Sequence, residues 1–368
     1  MARRTSRRIR YAVVGLGHIA QVAVLPAFAH ARRNSELTAL ISGDRTKLEV
    51  LGRRYRVNTR GNYDQFERCL SECDAVYIAT PNTEHAEFAI RAAHAGVHVL
   101  CEKPLSTTDA ECARIIRACR EAGVRIMTAY RLHFEPITLE VLRLIRSGRI
   151  GEPRVFESTF SMMAKPGNIR TRPETGGGTL YDLGVYCINA ARMAFGAEPV
   201  AVAAFSVDGA RSGFPGVDET SSAVMRFEGD RLATFTASFG AADVSSYRIV
   251  GTKGDIHVQP AYDYAEGLAY TLTRNGKAIR KRGRKVDQFA AELLYFSDCI
   301  LKDREPEPSA EEGAWDLRII DALLESSRRG ELIALRAFGP EPGPRASQAT
   351  SRPAVRKPRT VKTQTPRE

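Results

Sequence analysis

The sequence predicts an α/β protein whose first half is a doubly wound parallel sheet. The second half is predicted to be an α+β domain with a large, mostly antiparallel open sheet. Strand-like and helix-like segments alternate from residue 9 to about residue 147, and a glycine turn follows the first strand. After Gly148 the pattern changes to strands joined by tight turns. Strict alternation implies right-handed crossovers between parallel strands, whereas short turns favour antiparallel pairing.

The elements of the first half are short apolar strands separated by helices with apolar residues at helical spacing. Thr107 or Thr108 can cap the fourth helix, and Gly96 and Gly123 end the third and fourth. The predicted strands are Tyr11–Val14, Leu37–Ser42, Ala75–Thr80, Val97–Cys101 and Val124–Tyr130, and the helices are Ala20–Ala31, Thr46–Tyr55, Glu84–Ala95 and Ala110–Ala122.

The second half is predicted to contain strands, one internal helix and two closing helices. Alternating apolar residues such as Val224 and Phe235 leave open whether the second face of this sheet meets water or another subunit. The predicted strands are 154–163, 199–208, 221–228, 231–239 and 246–251, and the helices are about 180–195, 287–302 and 310–329.

The positive charge of the chain lies mainly at its two ends. The net charge is +11, but the first ten residues hold five arginines and no acid, and residues 341–368 hold seven Lys/Arg against two Glu. We therefore expect a basic extension over residues 1–8 and a disordered, basic, proline-rich tail over residues 339–368. The folded body is close to neutral, so no specific nucleic-acid partner is expected.

Composition also indicates the cellular compartment in which we expect the protein. No apolar run approaches the roughly 18 residues of a membrane helix, and no signal peptide is apparent, so we expect a cytoplasmic protein without a membrane partner. The seven cysteines are an odd number without C-x-x-C spacing. Neither a disulfide framework nor a metal site is predicted.

The turn after the first strand has the pattern of a dinucleotide-binding Rossmann domain, which we place at residues 9–130. It reads G-x-G-x-x-A, with Gly15 for the tight turn, Gly17 for close approach to a pyrophosphate, and Ala20 for helix packing. His18 and Ile19, inside the turn, are expected to flank the phosphates. The helix N-terminus behind them offers free N–H donors.

The end of the second strand favours NADP over NAD. NAD sites usually place an acid there, on the ribose 2′-hydroxyl. This chain has Ser42 and Gly43 at that point, followed by Asp44, Arg45 and Lys47. Ser42 can donate a hydrogen bond to a 2′-phosphate, and Arg45 or Lys47 can pair with it. Asp44 is a complication, because it could serve a ribose hydroxyl instead.

Two further strand ends point into the same crevice, since parallel strands present their carboxyl ends at one edge of the sheet. One carries Thr80-Pro81-Asn82, with His85 shortly after it, and the next carries Glu102-Lys103-Pro104. Lys103 aimed into the crevice would stabilise a developing alkoxide. The alternative interpretation is that Lys103 is simply an exposed lysine at a strand end.

The stretch from Gly176 to Asn189 contains the other candidate residues. On a helix, Asp182, Tyr186 and Asn189 recur at i, i+4 and i+7 and share one face. Three polar groups on one stripe of an otherwise apolar helix are costly to bury without a purpose. A structural polar cluster beneath the sheet is the alternative.

The order of these motifs resembles the glucose–fructose oxidoreductase/inositol dehydrogenase (Gfo/Idh/MocA) family. The resemblance runs from about residue 9 to residue 336 and includes Ala129-Tyr130-Arg131 and the G-G-G-x-L-x-D-x-G run. Most members have His four residues after the Asp, where this chain has Tyr186. The chain is therefore more similar to the glucose–fructose oxidoreductase branch, whose NADP loop the Ser42-Gly43 segment with Lys47 also resembles.

The resemblance implies a role for each matched residue. Tyr186 would be the general acid/base on a sugar hydroxyl or carbonyl, and Lys103 would bridge Tyr186, substrate and nicotinamide ribose. Asp182 would orient the substrate. Arg131, Arg172 and Asn189 would line the pocket, in a substrate-binding domain over residues 131–338. A positive charge beside a phenol favours the phenolate, which suits this assignment.

The implied activity is hydride transfer between NADP and a sugar or polyol, such as oxidation of an aldose at C1 to a lactone or the reverse reduction. Two variants stay open: an aldose–ketose transhydrogenase that keeps NADP bound, and a dinucleotide-dependent glycosidase. A non-catalytic dinucleotide-sensing protein is the alternative from another class. A homo-oligomer formed through the second sheet is also expected.

Overall fold

The structure is a computed structural model, and it describes residues 7–336, 343–356 and 358–365. Most of the expected basic extension, residues 1–6, lies outside this range. The described residues form two sheets with helices packed on both. The predicted fold class is confirmed.

The first sheet is parallel throughout and has the strand order β3-β2-β1-β4-β5-β6. Its order reverses between β1 and β4, which is where open parallel sheets bind ligands. The strands are β1 Ile9–Val14, β2 Ser35–Ile41, β3 Thr59–Gly61, β4 Ala75–Ile78, β5 His98–Glu102 and β6 Ile126–Ala129. The helices are α1 Leu25–Ala27 after a π-helical turn Ala20–Val24, α2 Arg45–Tyr55, α3 Phe66–Leu70, α4 His85–His94 and α5 Asp109–Glu121.

The second sheet has the order β14-β13-β12-β11-β7-β10-β9-β8-β15 and is antiparallel except for the β7–β10 pair. Its strands are β7 Pro153–Met163, β8 Pro199–Asp208, β9 Asp218–Phe227, β10 Arg231–Ser238, β11 Gly240–Gly251, β12 Gly254–Val258, β13 Ala269–Arg274, β14 Lys277–Arg282 and β15 Ile333–Ala334. The helices are α6 Pro136–Arg146, α7 Val185–Phe195 after a π-helical turn Leu180–Gly184, α8 Gln288–Leu301 and α9 Ala310–Arg329.

Helix α8 packs on the first sheet, although the sequence led us to expect it in the second domain. Phe289, Leu293 and Phe296 join the apolar cluster built around β1. The Ser297 hydroxyl hydrogen-bonds with Tyr11 of β1 at 2.9 Å. An apolar helix pattern identifies a face that must be buried, but it does not say which sheet covers that face.

Residues 343–356 and 358–365 lie against the body, which differs from the disordered tail expected for residues 339–368. The Arg146 guanidinium donates to the Pro344 carbonyl at 2.7 Å, and the Asp287 N–H donates to the Arg352 carbonyl at 3.0 Å. These backbone carbonyls accept hydrogen bonds from the folded body, and the contacts order this part of the tail. A proline-rich, basic composition does not predict such contacts. Residues 337–342, 357 and 366–368 lie outside the described part.

One face of the second sheet carries a row of exposed apolar side chains. These residues are 42% to 79% exposed and stand on the adjacent strands β7 to β10: Val155, Phe205, Val207, Val224 and Leu232. Contiguous exposed apolar surface of this kind is characteristic of interaction sites. In the part of the chain that the structure describes, no helix has both the length and the apolar character to cross a membrane.

Candidate active site

A cavity of about 1000 Å³ lies between the two domains, at the carboxyl ends of the parallel strands. Its walls include Gly17 after β1, Thr80 after β4, Lys103 after β5, Phe160 of β7 and Tyr186 of α7. The volume is at the upper end for small-molecule sites, as a dinucleotide together with a second small molecule would need. The cavity therefore joins motifs from both halves of the sequence.

The glycine turn has the geometry that a pyrophosphate needs. Gly15 has φ +85°, and a Cβ there would stand 2.5 Å from the Ala79 carbonyl carbon, so no other residue fits. A Cβ on Gly17 would meet no atom within 4 Å, which leaves the backbone open to a ligand. His18 and Ile19 line the cavity beside it.

The loops after β4 and β5 are braced against each other and present unused polar groups. The ring of buried His85 joins them, with Nδ1 2.9 Å from the Pro104 carbonyl and Nε2 3.1 Å from the Thr80 carbonyl. Burial lowers the pKa of His85. Thr80 lines the cavity, and its buried hydroxyl has no hydrogen-bond partner among the described residues.

Two other predicted cofactor residues, Asn82 and Glu102, make hydrogen bonds at the crevice. Asn82, which with Pro81 lines the cavity, donates its amide to the Gly176 carbonyl at 2.9 Å and so links the first domain to the glycine run before α7. Glu102 faces the cavity and accepts a hydrogen bond from Tyr77 at 2.8 Å. Burial raises the pKa of Glu102.

The residues expected at the adenosine end lie around the start of α2, beyond the residues that line the cavity. Buried Ser42 accepts the Asp44 N–H at 3.2 Å, and Asp44 caps α2 by accepting the Lys47 N–H at 3.1 Å. This hydrogen bond lowers the pKa of Asp44. Arg45 points outward and pairs with Glu49. Gly43 adjoins the Tyr63 ring, which a Cβ would approach to 3.5 Å.

Tyr186 stands between two cations in the cavity wall. Arg131, buried at the start of the second domain, donates from Nη2 to the Tyr186 hydroxyl oxygen at 3.1 Å. Lys103 Nζ lies 4.6 Å from the centroid of the Tyr186 ring. The cation that touches the phenol oxygen is thus Arg131, whereas Lys103 lies over the ring and not at the hydroxyl, where we had expected it.

Asp182 holds Lys103 in this position. Lys103 Nζ donates to the Asp182 carbonyl at 2.9 Å and lies 3.4 Å from its Oδ1, while Arg170 Nε donates to Oδ2 at 2.6 Å. Burial alone would raise the pKa of Asp182, but the charges of Arg170 and Lys103 outweigh it and lower that pKa. Asp182 is therefore a carboxylate between two cations at the cavity wall.

Two residues expected in the pocket lie elsewhere. Asn189 is buried beneath the cavity, where it accepts from His133 Nε2 at 3.0 Å and donates to Glu312 Oε1 at 3.1 Å. It lies three residues beyond Tyr186, so it is about 4.5 Å deeper along the helix axis and faces α9 instead of the cleft. Arg172 is exposed and does not line the cavity; Arg170, two residues earlier, occupies the place expected for it.

His133, Glu307 and Glu312 form a buried polar group below the site. One nitrogen or oxygen atom from each side chain lies within 4.8 Å of the others. Both nitrogens of His133 are engaged, with Glu307 at 2.7 Å and with Asn189. The group links α7 to α9 and so supports the helix that carries Tyr186.

The sequence analysis missed several cavity residues. Arg170 lies in a short 3-10 turn, Ile169–Thr171, and Tyr264 lies in the loop after β12; neither belongs to a periodic pattern or a motif. The Arg131 guanidinium lies 5.3 Å from the Tyr264 ring centroid, so this ring helps to enclose the cation beside Tyr186. In the sequence, the two tyrosines at positions 262 and 264 are the signal that could have indicated this part of the cavity wall.

Comparison with known proteins identifies the family. The model described as "Oxidoreductase family, NAD-binding Rossmann fold" matches residues 9–130, and the model "GFO/IDH/MocA C-terminal domain" matches residues 138–257. D-xylose 1-dehydrogenase (NADP+) of Haloarcula marismortui is 32% identical over 341 residues, which cover 90% of this chain and 94% of that protein.

Solved structures agree. An aldose-aldose oxidoreductase from Caulobacter crescentus, complexed with glycerol, superposes with a TM-score of 0.85 at 35% identity over 89% of this chain and all of that one. A 3-ketoreductase from Actinomadura kijaniata, in complex with NADP and TDP-benzene, gives 0.80 at 29% identity over 87% of this chain and 98% of that one. The family resemblance read from the motifs is confirmed: the chain belongs to the GFO/IDH/MocA family and is an NAD(P)-dependent oxidoreductase.

Proposed function

We propose that the protein is an NADP-dependent sugar oxidoreductase that oxidises an aldose at C1 or reduces the corresponding carbonyl, with Tyr186 as the acid/base. The observation that carries this proposal is the hydrogen bond from Arg131 to the Tyr186 oxygen inside the cavity that the glycine turn lines. When bound, NADP supplies or accepts the hydride. The protein residues have to position the sugar and move one proton.

Arg131 suits Tyr186 to proton transfer in both directions. Because Arg131 donates to the phenol oxygen, the hydroxyl proton of Tyr186 is free to point at a substrate oxygen. After that proton has left, the charges of Arg131 and Lys103 stabilise the phenolate. In sugar oxidation the phenolate takes the proton of the C1 hydroxyl, and in reduction Tyr186 returns it.

Asp182 and Arg170 act as positioning groups. Their ion pair, with the Lys103 hydrogen bond to the Asp182 carbonyl, holds the Lys103 ammonium at the ring face of Tyr186. The side chains of Lys103 and Asp182 are only 11% and 18% exposed, so water screens their charges weakly. Sugar hydroxyls that reach this wall would find both charged donors and a carboxylate acceptor.

NADP is favoured over NAD by the start of α2. Ser42, Lys47 and the first N–H groups of that helix would face a 2′-phosphate, and Asp44 is occupied as the helix cap. The D-xylose dehydrogenase named above is an NADP+ enzyme by name, and the structure of the 3-ketoreductase contains NADP. Their cofactor supports the same choice for this chain.

A second candidate is a transfer between two sugars with the dinucleotide retained. The aldose-aldose oxidoreductase from Caulobacter crescentus, at 35% identity, favours this candidate. An enzyme that retains its dinucleotide between the two half-reactions would need no free NADP for turnover. Purified protein that keeps a nicotinamide absorbance band through dialysis would support this candidate.

We further propose a homo-oligomer through the exposed face of the second sheet, in a cytoplasmic setting. The row of apolar side chains on β7 to β10, with Phe205 79% exposed, supports the homo-oligomer. The seven cysteines are all buried and unpaired, which suits a reducing compartment.

The test is a panel of aldoses, ketoses and cyclitols assayed with NADP+/NADPH and NAD+/NADH. We expect aldose oxidation with NADP+ and roughly a hundredfold lower turnover in Tyr186→Phe. The matched control is Tyr181→Phe, which removes a half-buried hydroxyl that donates to the Thr107 carbonyl outside the cavity wall. Equal turnover in the two variants would contradict the role of Tyr186, and inactivity on every sugar would contradict the substrate class.

A further inference from the structure

The C-terminal segment over residues 358–365, here called the strap, crosses from one domain to the other beside the cofactor cleft. Its first contact is with α2, where Arg54 Nη1 donates to the Arg359 carbonyl at 2.7 Å. Its last is with the second domain, where the Asn168 side-chain amide donates to the Thr365 carbonyl at 3.1 Å. Thr365 itself lines the cavity.

The strap is fixed most firmly next to the glycine turn. Gln21, fully buried just after Ala20, bonds with both backbone groups of Val361: its Nε2 donates to the carbonyl at 3.0 Å, and its Oε1 accepts the N–H at 2.8 Å. The Val361 side chain packs against the apolar cluster around β1. A paired backbone contact to a buried side chain sets the register of the strap.

This register places Lys362 at the start of α2. Its Nζ donates to Thr46 Oγ1 at 3.0 Å and lies 3.7 Å from Asp44 Oδ2. Lys362 also has φ +45°, a backbone conformation that lysine rarely adopts, and such residues concentrate at ligand sites. The ammonium group thus stands where the sequence and the α2 terminus place the 2′-phosphate.

The charges explain what a cation does at this point. Asp44 is the acidic residue that would otherwise favour an NAD ribose and repel a 2′-phosphate. Its pairing with Lys362 is long and more than half exposed on the lysine side, so it is a weak interaction on its own. A phosphate dianion would attract Lys362 more strongly than one solvated carboxylate does.

On the basis of the proposed function, we infer that the strap is part of the dinucleotide site: Lys362 pairs with the 2′-phosphate of NADP and offsets Asp44, and the strap slows release of the bound dinucleotide. The selectivity for NADP then depends on a residue more than 300 positions away from the Rossmann phosphate loop. This also accounts for a basic C-terminal segment being ordered against the body.

The test measures dissociation constants of NADP+ and NAD+ for the full-length chain by titration calorimetry. In Lys362→Ala we expect NADP+ to bind roughly tenfold more weakly, as loss of one charged hydrogen bond predicts, while NAD+ changes by less than about twofold. The matched control is Arg356→Ala, which removes an exposed positive charge from the same tail and should change neither constant. A chain ending at Arg356 should release NADPH faster, as followed by stopped-flow fluorescence.

The outcomes separate the two proposals. An unchanged ratio of NADP+ to NAD+ affinity in Lys362→Ala would overturn the role of Lys362. Tighter NADP+ binding by the shortened chain would show that the strap obstructs the site instead of completing it. A wild-type preference for NAD+ would contradict the proposed cofactor, yet the ratio in the variant would still report on the strap.

Discussion

The buried His133 beneath the active site should make the stability of the protein fall as pH rises. The charges of Glu307 and Glu312 outweigh the effect of burial and raise the pKa of His133 from 6.5 to about 9. A raised pKa in the folded state contributes stability that is fully present below about pH 6.5 and is lost as pH rises through about 9. For His133, the difference between a pKa of 6.5 and one of about 9 corresponds to roughly 3 kcal/mol of stability.

Glu312 acts in the same direction. Burial raises the pKa of Glu312 to about 7, so the folded state also binds this proton more tightly than the unfolded state does. Its effect on stability therefore declines with rising pH between about 4.5 and 7. Together the two groups predict a monotonic loss of stability from mildly acidic to alkaline pH.

The measurement is thermal unfolding of the wild type and of His133→Gln across about pH 6 to pH 10, followed by circular dichroism. The wild type should lose several degrees in Tm across this window, and the variant should lose much less because it lacks the titrating ring. His94→Gln, a substitution of an exposed histidine, is the control and should follow the wild type. Parallel pH dependences in wild type and His133→Gln would refute the reasoning.

Three further predictions follow from the site and the sheet. Asp182→Asn leaves Lys103 and Arg170 without their carboxylate, so turnover should fall roughly tenfold with little change in dinucleotide affinity; a large loss of affinity would contradict its position on the substrate side. Arg131→Lys keeps the charge but loses the planar guanidinium that contacts Gln288, the Tyr262 carbonyl and the Tyr186 hydroxyl together, and turnover should fall by roughly tenfold or more, while wild-type rates would show that this geometry is dispensable. Phe205→Asp should lower the sedimentation coefficient in analytical ultracentrifugation by disrupting the proposed homo-oligomer, whereas an unchanged coefficient would contradict an interface on this face of the sheet.

Local sequence patterns predicted the parts of the fold that are set locally. The alternation before Gly148 gave the strand–helix order of the first sheet, and the glycine turn identified its ligand-binding edge. The family resemblance, not a local pattern, implied that Lys103, Asp182 and Tyr186 form one group, and the structure brings them together at the cavity wall. Whether they have the proposed chemical roles remains a prediction.

The remaining features depend on packing between distant segments. Helical spacing placed Asn189 on the same helix face as Tyr186. It did not predict how far along the helix Asn189 lies, which is under the cavity and against α9. Arg170 lies in a short 3-10 turn without periodicity, so nothing in the chain separates it from Arg172. Composition predicted a disordered, basic tail, but the order around Val361 comes from two hydrogen bonds to the side chain of Gln21.

The central claim is that the Tyr186 phenol, its two cations and the nicotinamide act on one sugar in the cleft between the domains. A crystal structure of the protein with NADP+ and an unreactive aldose analogue tests it most directly. We predict a sugar oxygen within about 3.2 Å of the Tyr186 hydroxyl, at the carbon that faces the nicotinamide. A sugar bound in the cleft with Tyr186 out of contact with it would contradict the account.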